Sequence, residues 1–207
     1  MFYNLIMFLY VADSVVGMKI GFDLDEVLAG FIEQFLKYYN LGFKTDYKRE
    51  NIRHYDLWKV FGVERNFMIN LVYGFYKSSF FKNIKPIDGS IDGVEYLKGR
   101  GDLYIVTSRE NVVRVDTIKW LDRYFSKHFK GIEFTDDNVI AGKSLKKSDI
   151  CRMLRLDAMI EDRAEYADEC AKEGIETLLM DCPWNREYKE AGKVKRVYNW
   201  NEIIRLF

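Results

Sequence analysis

A mainly parallel α/β fold, one sheet flanked by helices with a helical insertion after the first strand, is predicted by three observations. Short apolar runs alternate with stretches of helical period. The segment between the first and second runs, about residues 33–85, is far longer than the other connections. Three of the runs end in polar side chains: Asp23, Thr107 and the pair Glu161-Asp162. In parallel sheets the chemistry gathers at the carboxyl ends of strands, so these steps are expected on one rim.

Taken in order, Met18 to Asp23 reads as a short buried strand that ends at an acidic turn. From about Glu26 to Tyr39 the pattern is helical, with Val27, Phe31, Phe35 and Tyr38 at three- and four-residue steps. Gly42 and a polar stretch break it, residues 56–82 are helical again and rich in aromatics, and Pro86 and Gly89 mark the return. Ser90 to Lys98 is helical, Asp102 to Thr107 is a strand, and Val112 to Phe125 is helical. Residues 132–134 and 138–140 are short strands, and Ser148 is expected to cap a helix running to Leu154. Ala158 to Ile160 is a strand, residues 162–173 are helical, and Glu176 to Met180 is a strand. Val194 to Val197 reads as an edge strand before a last helix over residues 201–207.

A chain of 207 residues, 48% hydrophobic and 31% charged, suits one main domain with a substantial core. Lys plus Arg and Asp plus Glu both number 32, which argues against a surface built for a polynucleotide or an anionic membrane. The three cysteines, Cys151, Cys170 and Cys182, form neither a C-x-x-C pair nor a zinc-spaced cluster and read as buried thiols of a reducing cytoplasm. The apolar run from Leu5 to Ala12 is too short to span a membrane and lacks a basic flank. Met18 opens the first strand, so residues 1–17 are expected to be an upstream extension with no part in the fold.

The polar strand ends then form a pattern. Asp23-Leu24-Asp25-Glu26-Val27, Ile105-Val106-Thr107-Ser108, Lys147 opening a helix, and Ile160-Glu161-Asp162 resemble, in order and spacing, the four motifs of the haloacid dehalogenase superfamily. The resemblance covers residues 18–207 and implies a Rossmann-like core over residues 18–32 and 86–207, with residues 33–85 as a small helical cap. It further implies a phosphohydrolase in which Asp23 attacks phosphorus and forms an aspartyl-phosphate. Asp25 would protonate the leaving group and later activate water. Thr107 and Lys147 would stabilise the phosphoryl charge. Mg²⁺ would be bound by Asp23, the backbone carbonyl of Asp25, and Asp162. Ser108 and Arg109 are expected to touch the substrate, although a surface ion pair is an equal alternative for Arg109. Lys143 and Lys146 compete with Lys147, and Glu161 departs from the Asp-Asp form common at the fourth motif.

A narrower resemblance, to the 5′(3′)-deoxyribonucleotidase (cytosolic type C) branch, lies in Asp181-Cys182-Pro183-Trp184-Asn185 and in residues 196–203, from Arg196-Val197 to Trp200-Asn201-Glu202-Ile203. It implies a nucleoside monophosphate as substrate. Aromatics of the insertion (Phe43, Tyr47, Tyr55, Trp58, Phe61, Phe67, Tyr73, Phe75 and Tyr76) could stack on a base or simply fill the insertion's own core. A sugar-phosphate or other small-metabolite phosphatase is the alternative. A phosphate-binding module without turnover is a third reading, disfavoured because Asp23 and Asp25 are both present. The expected partners are a small phosphate ester, no polynucleotide and no membrane, with a homodimer left open.

Overall fold

Strand β1 (Met18–Phe22) lies at the centre of a six-stranded parallel sheet of order β3-β2-β1-β6-β7-β8. The computed structural model describes residues 17–135, 139–140 and 143–207. Its other sheet strands are β2 (Gly101–Thr107), β3 (Phe129–Phe134), β6 (Ala158–Glu161), β7 (Glu176–Met180) and β8 (Val194–Val197). A two-stranded antiparallel hairpin, β4 (Val139–Ile140) and β5 (Lys143–Ser144), stands apart from it. The chain runs outward from β1 through β2 to β3, then crosses back to place β6 on the other side of β1. That reversal makes the crevice at the carboxyl ends of β1 and β6 the topological switch point.

Both faces of the sheet are covered, which is why its inner strands are apolar without alternation. All four residues of β6 are buried. Ile20, Phe22, Leu103, Ile105 and Ile160 face one side, with Phe125, Trp200 and Ile203 packed over them. Val106 and Met159 face the other side, beneath Ile150, Cys151 and Cys170 of α7 (Lys147–Leu154) and α8 (Ala164–Lys172). Trp200, at the start of α9 (Trp200–Leu206), stacks on Phe22 and donates its indole N–H to the Val27 carbonyl at 3.0 Å. Gly93 in α5 (Ser90–Lys98) makes room for it, since a Cβ there would sit 2.1 Å from the Trp200 ring. The last helix therefore buttresses the turn that follows β1.

The long insertion between β1 and β2 contains α1 (Phe31–Phe43), α2 (Leu57–Phe61), α3 (Arg65–Tyr76) and α4 (Ser79–Lys82). Its interior is aromatic: Phe75 meets Phe31, Phe35 and Phe81 edge-on, and Tyr39 stacks on Phe61 with centroids 4.0 Å apart. The outgoing and returning strands of chain run side by side, with Gly30 N–H bonded to the Lys85 carbonyl and Ile87 N–H to the Leu28 carbonyl. Trp120 of α6 (Arg114–Phe125) holds the return by donating to the Ile84 carbonyl at 2.9 Å.

Several boundaries differ from the sequence expectation. The first helix begins at Phe31, not Glu26, because residues 24–29 close a tight turn in which Leu28 and Ala29 N–H both donate to the Leu24 carbonyl. Glu26 sits there at a φ of 60°, a left-handed conformation that ends any helix starting earlier. Residues 56–82 form three helices, interrupted at Gly62, which also has positive φ, and at Ser78, which caps α4. The helix α7 starts at Lys147, so Ser148 is inside its first turn, and Asp149 reaches back to the Lys146 N–H. The helix α8 starts at Ala164, after a bend at Asp162 and an extended Arg163. The expected strand at 138–140 is seen as β4, Asn138 lying outside the described residues, as do residues 1–16.

Candidate active site

Asp23 follows the last residue of β1, and its N–H donates to the Ile160 carbonyl of β6 at 2.9 Å. This bond ties the acidic turn to the neighbouring strand end, where Glu161 and Asp162 emerge. Lys147, the first residue of α7, reaches into the same crevice. Its Nζ lies 2.9 Å from Asp23 Oδ1 and 2.6 Å from Glu161 Oε1. The second Glu161 oxygen accepts the Asp162 N–H at 2.8 Å. All four side chains are buried.

One ammonium thus faces three carboxylates. Burial pushes the Asp23 carboxyl up to about 7, against the pull of Lys147 and with added repulsion from Glu161 and Asp25. Burial, then Glu161 and Asp23, raises Asp162 well above the ordinary carboxylate range. Burial by itself would lower Lys147, but Asp23 and Glu161 outweigh it and hold the ammonium well above its usual value. Oxygen atoms of Asp23, Glu161 and Asp162 lie within 4.8 Å of one another. Glu161 spends both oxygens on Lys147 and the Asp162 N–H. Asp23 Oδ2 and Asp162 Oδ1 have no protein hydrogen-bond partner among the described residues. Two uncommitted hard oxygens in a site with excess negative charge fit a divalent cation.

Across the crevice, Thr107 ends β2 and is buried. Its hydroxyl oxygen accepts the Arg109 N–H at 3.1 Å, which leaves its own O–H to donate. Ser108 is exposed at the rim. Arg109 is buried and meets Asp25 through two bonds, Nε to Oδ2 at 3.0 Å and Nη2 to Oδ1 at 2.6 Å. The sequence left phosphate contact and surface ion pairing open for this residue; the pair it forms lies inside the protein. Asp23, Asp25, Thr107, Ser108, Arg109 and Asp162 all line one cavity of about 200 Å³, walled on its apolar side by Phe31, Ile52, Leu57, Tyr76 and Trp184. Of the insertion aromatics singled out from sequence, Tyr55 and Tyr76 reach this cavity. Phe61 and Phe75 are buried in the insertion's core, while Phe43 and Phe67 are largely exposed. Lys146 points away, its Nζ bonded to Glu169, and the side chain of Lys143 lies outside the described residues. His54 does not line this cavity and accepts the Asp56 N–H.

The Pro183-Trp184-Asn185 turn has a role that no local signal in the sequence indicated. Trp184 Nε1 donates to Asp162 Oδ2 at 3.1 Å, and Asn185 Nδ2 donates to the Asp162 carbonyl at 2.7 Å. Asn185 is itself held by Arg196, which donates to its Oδ1 and to its carbonyl, and to Asp181. The late motif therefore supports Asp162 from behind. The insertion touches the same turn: Arg49 pairs with Glu26 Oε2 at 2.9 Å, donates to Cys182 Sγ at 3.2 Å, and lies over the Trp184 ring. Arg49, Trp184, Asn185 and Arg196 were not among the residues expected at the site, because each acts through a partner distant in sequence.

Over residues 17–207 the sequence matches the family described as 5′ nucleotidase, deoxy (pyrimidine), cytosolic type C protein. The chain belongs to this family. Among curated relatives of this cytosolic type C nucleotidase family member are a 5′(3′)-deoxyribonucleotidase of Bacillus subtilis, 27% identical over 90% of this chain and 96% of the relative, and that of Bacillus phage SPbeta with the same figures. A protein named as a nucleotidase in Clostridium acetobutylicum is 26% identical over 79% of this chain and 80% of its own. The fold is shared with a haloacid dehalogenase-like hydrolase of Streptococcus pneumoniae (TM-score 0.66, 16% identity, 92% of this chain and 98% of that one). It is shared too with the hydrolase YfnB of Bacillus subtilis, determined bound to magnesium (TM-score 0.63, 18% identity, 92% and 98%). The family member is a hydrolase of phosphoric monoesters with a haloacid dehalogenase-like fold. Among its described residues no helix is long and apolar enough to cross a membrane.

Proposed function

We propose that the protein is a Mg²⁺-dependent 5′-nucleotidase that hydrolyses (deoxy)nucleoside monophosphates through a phosphorylated Asp23. The observation that carries the reaction is that Asp23, paired with Lys147, lines one cavity together with Asp25, Thr107 and Asp162.

Asp23, Asp162 and the Asp25 backbone carbonyl would hold the ion, which when bound offsets the repulsion between an anionic nucleophile and a phosphate dianion. Lys147, bonded to Asp23 Oδ1, holds the Asp23 carboxylate in place as it attacks phosphorus and forms the Asp23 O–P bond. As that bond forms, the ester P–O bond breaks and Asp25 delivers a proton to the departing oxygen. The Thr107 and Ser108 hydroxyls donate to the phosphoryl oxygens. In the second half, Asp25 takes a proton from water, the water oxygen attacks phosphorus, and Asp23 is released with inorganic phosphate.

The substrate half of the reading is supported by the family, by relatives named as deoxyribonucleotidases, and by the apolar wall of Phe31, Leu57, Tyr76 and Trp184, against which a base can lie. Residues 33–85, flanked by the bridge between Ala29 and Pro86, would act as the cap over the cavity. A panel of phosphate monoesters with Mg²⁺ and with chelator tests both halves. Nucleotides should be turned over fastest, and only with the ion. A sugar phosphate that outruns every nucleotide overturns the substrate assignment, and absence of turnover for all esters by folded protein overturns the reaction.

A further inference from the structure

The guanidinium of Arg109 is fixed on three sides. Nε and Nη2 clasp both oxygens of Asp25, Nη1 donates to Thr117 Oγ1 of α6 at 3.1 Å, and the ring of Phe81 lies beneath it at 5.3 Å. Thr117 is wholly buried and Phe81 nearly so, so these anchors belong to the packed interior. The Arg109 side chain is 3% exposed, while that of Asp25 is 29% exposed and opens on the cavity. A bidentate fork fixes the plane and the distance of a carboxylate, which a single hydrogen bond does not. The Arg109 backbone is held in turn by its N–H bond to Thr107. The residue thus links the strand end that carries Thr107 to the turn that carries Asp25.

We propose that Arg109 is a positioning residue that orients Asp25 so that its acid form, protonated on a lone pair the fork leaves free, gives that proton to the leaving oxygen, and that it acts through Asp25 instead of binding the substrate phosphate. This rests on the reading of Asp25 as acid and base given above. It also assigns a place to Thr117 and Phe81, which lie behind the arginine and outside the cavity lining.

Leaving-group dependence separates positioning from phosphate binding. An alkyl ester needs a proton on its departing oxygen, whereas p-nitrophenyl phosphate releases a stable anion and needs little help. For Arg109→Gln, kcat/KM for a deoxynucleoside monophosphate should fall about 100-fold, the scale of general acid catalysis. For p-nitrophenyl phosphate it should fall less than about 10-fold, and the inhibition constant of inorganic phosphate should stay within about threefold. Asp25→Asn should show the same contrast, and the double variant should lose little beyond either single one. Thr117→Val, which removes one anchor and keeps the volume, should shift both substrates in the same pattern but less. It carries the test should Arg109→Gln fail to fold. Equal losses on the two esters, or phosphate affinity falling with kcat/KM, would overturn the proposal. Should wild-type protein hydrolyse neither ester, it is the proposed reaction that fails, a result distinct from a variant without leaving-group contrast in an active enzyme.

Discussion

The Trp184 indole donates to Asp162 Oδ2 from 22 residues away, so a ring that walls the cavity also orients a carboxylate of the acidic cluster. Partners of this kind set how a ligating carboxylate is presented, and their loss commonly costs 10- to 100-fold in metal affinity. Trp184→Phe keeps the apolar wall and removes the donor. The Mg²⁺ concentration for half-maximal turnover should rise about 10-fold while maximal turnover changes little. A titration of activity against Mg²⁺, paired with the Mg²⁺-induced rise in melting temperature, measures it.

Asp23→Asn should abolish turnover, by about four orders of magnitude or more, because an amide oxygen is not a nucleophile towards phosphorus. It should do so without unfolding the chain, since the shape and the Ile160 contact are retained. Near-normal phosphate release by this variant would remove Asp23 from the mechanism.

The raised Asp23 carboxyl has a consequence for stability. Its folded value of about 7 lies above its ordinary 3.8, so the fold favours the protonated form. This contribution is present in full below about pH 4 and is lost as pH rises to about 7. Metal-free wild type should therefore fall in stability, relative to Asp23→Asn, across that window. Above pH 7, Mg²⁺ should stabilise the wild type most strongly, and below pH 5 hardly at all, because protons compete for the same oxygens. Denaturant melts of both proteins at several pH values, with ion and with chelator, read the difference.

Lys147→Met should destabilise metal-free protein by about 3–5 kcal/mol, the usual cost of leaving a buried charge without its partner. Here the ammonium bridges Asp23 and Glu161, both buried. Part of that loss should return at acidic pH, where Asp23 is protonated. Urea midpoints at pH 5 and pH 8 distinguish this from a packing defect, which would be insensitive to pH.

Arg196→Ala should loosen Asn185 and, through it, Asp162. The half-buried guanidinium donates to four acceptors on Asp181, Asn185 and Tyr188. A loss of about 2–4 kcal/mol is expected, together with weaker Mg²⁺ binding, measured by chemical denaturation and calorimetry.

Much of this protein could be read along the chain. Strand and helix periods, and acids placed just after apolar runs, are local properties. They were enough to predict a parallel α/β sheet with a helical insertion, while the phosphohydrolase expectation came from the resemblance of four short motifs to the haloacid dehalogenase superfamily. Lys147 and its neighbours Lys143 and Lys146 could not be ranked by pattern, because which lysine enters a crevice depends on where helix α7 starts and which of its faces meets the sheet. The tertiary structure decided the pairings. Arg109 reaches Asp25 across 84 residues, and Lys147 reaches Asp23 across 124, because the sheet order sets their strand and helix ends side by side. The aromatic insertion shows the same division: composition announced many rings, but only packing determined that Phe75 is core and Tyr76 is wall. Acidic residues after strands are a property of sequence; the shared desolvation that turns three of them and one lysine into a site arises only when the strands pack.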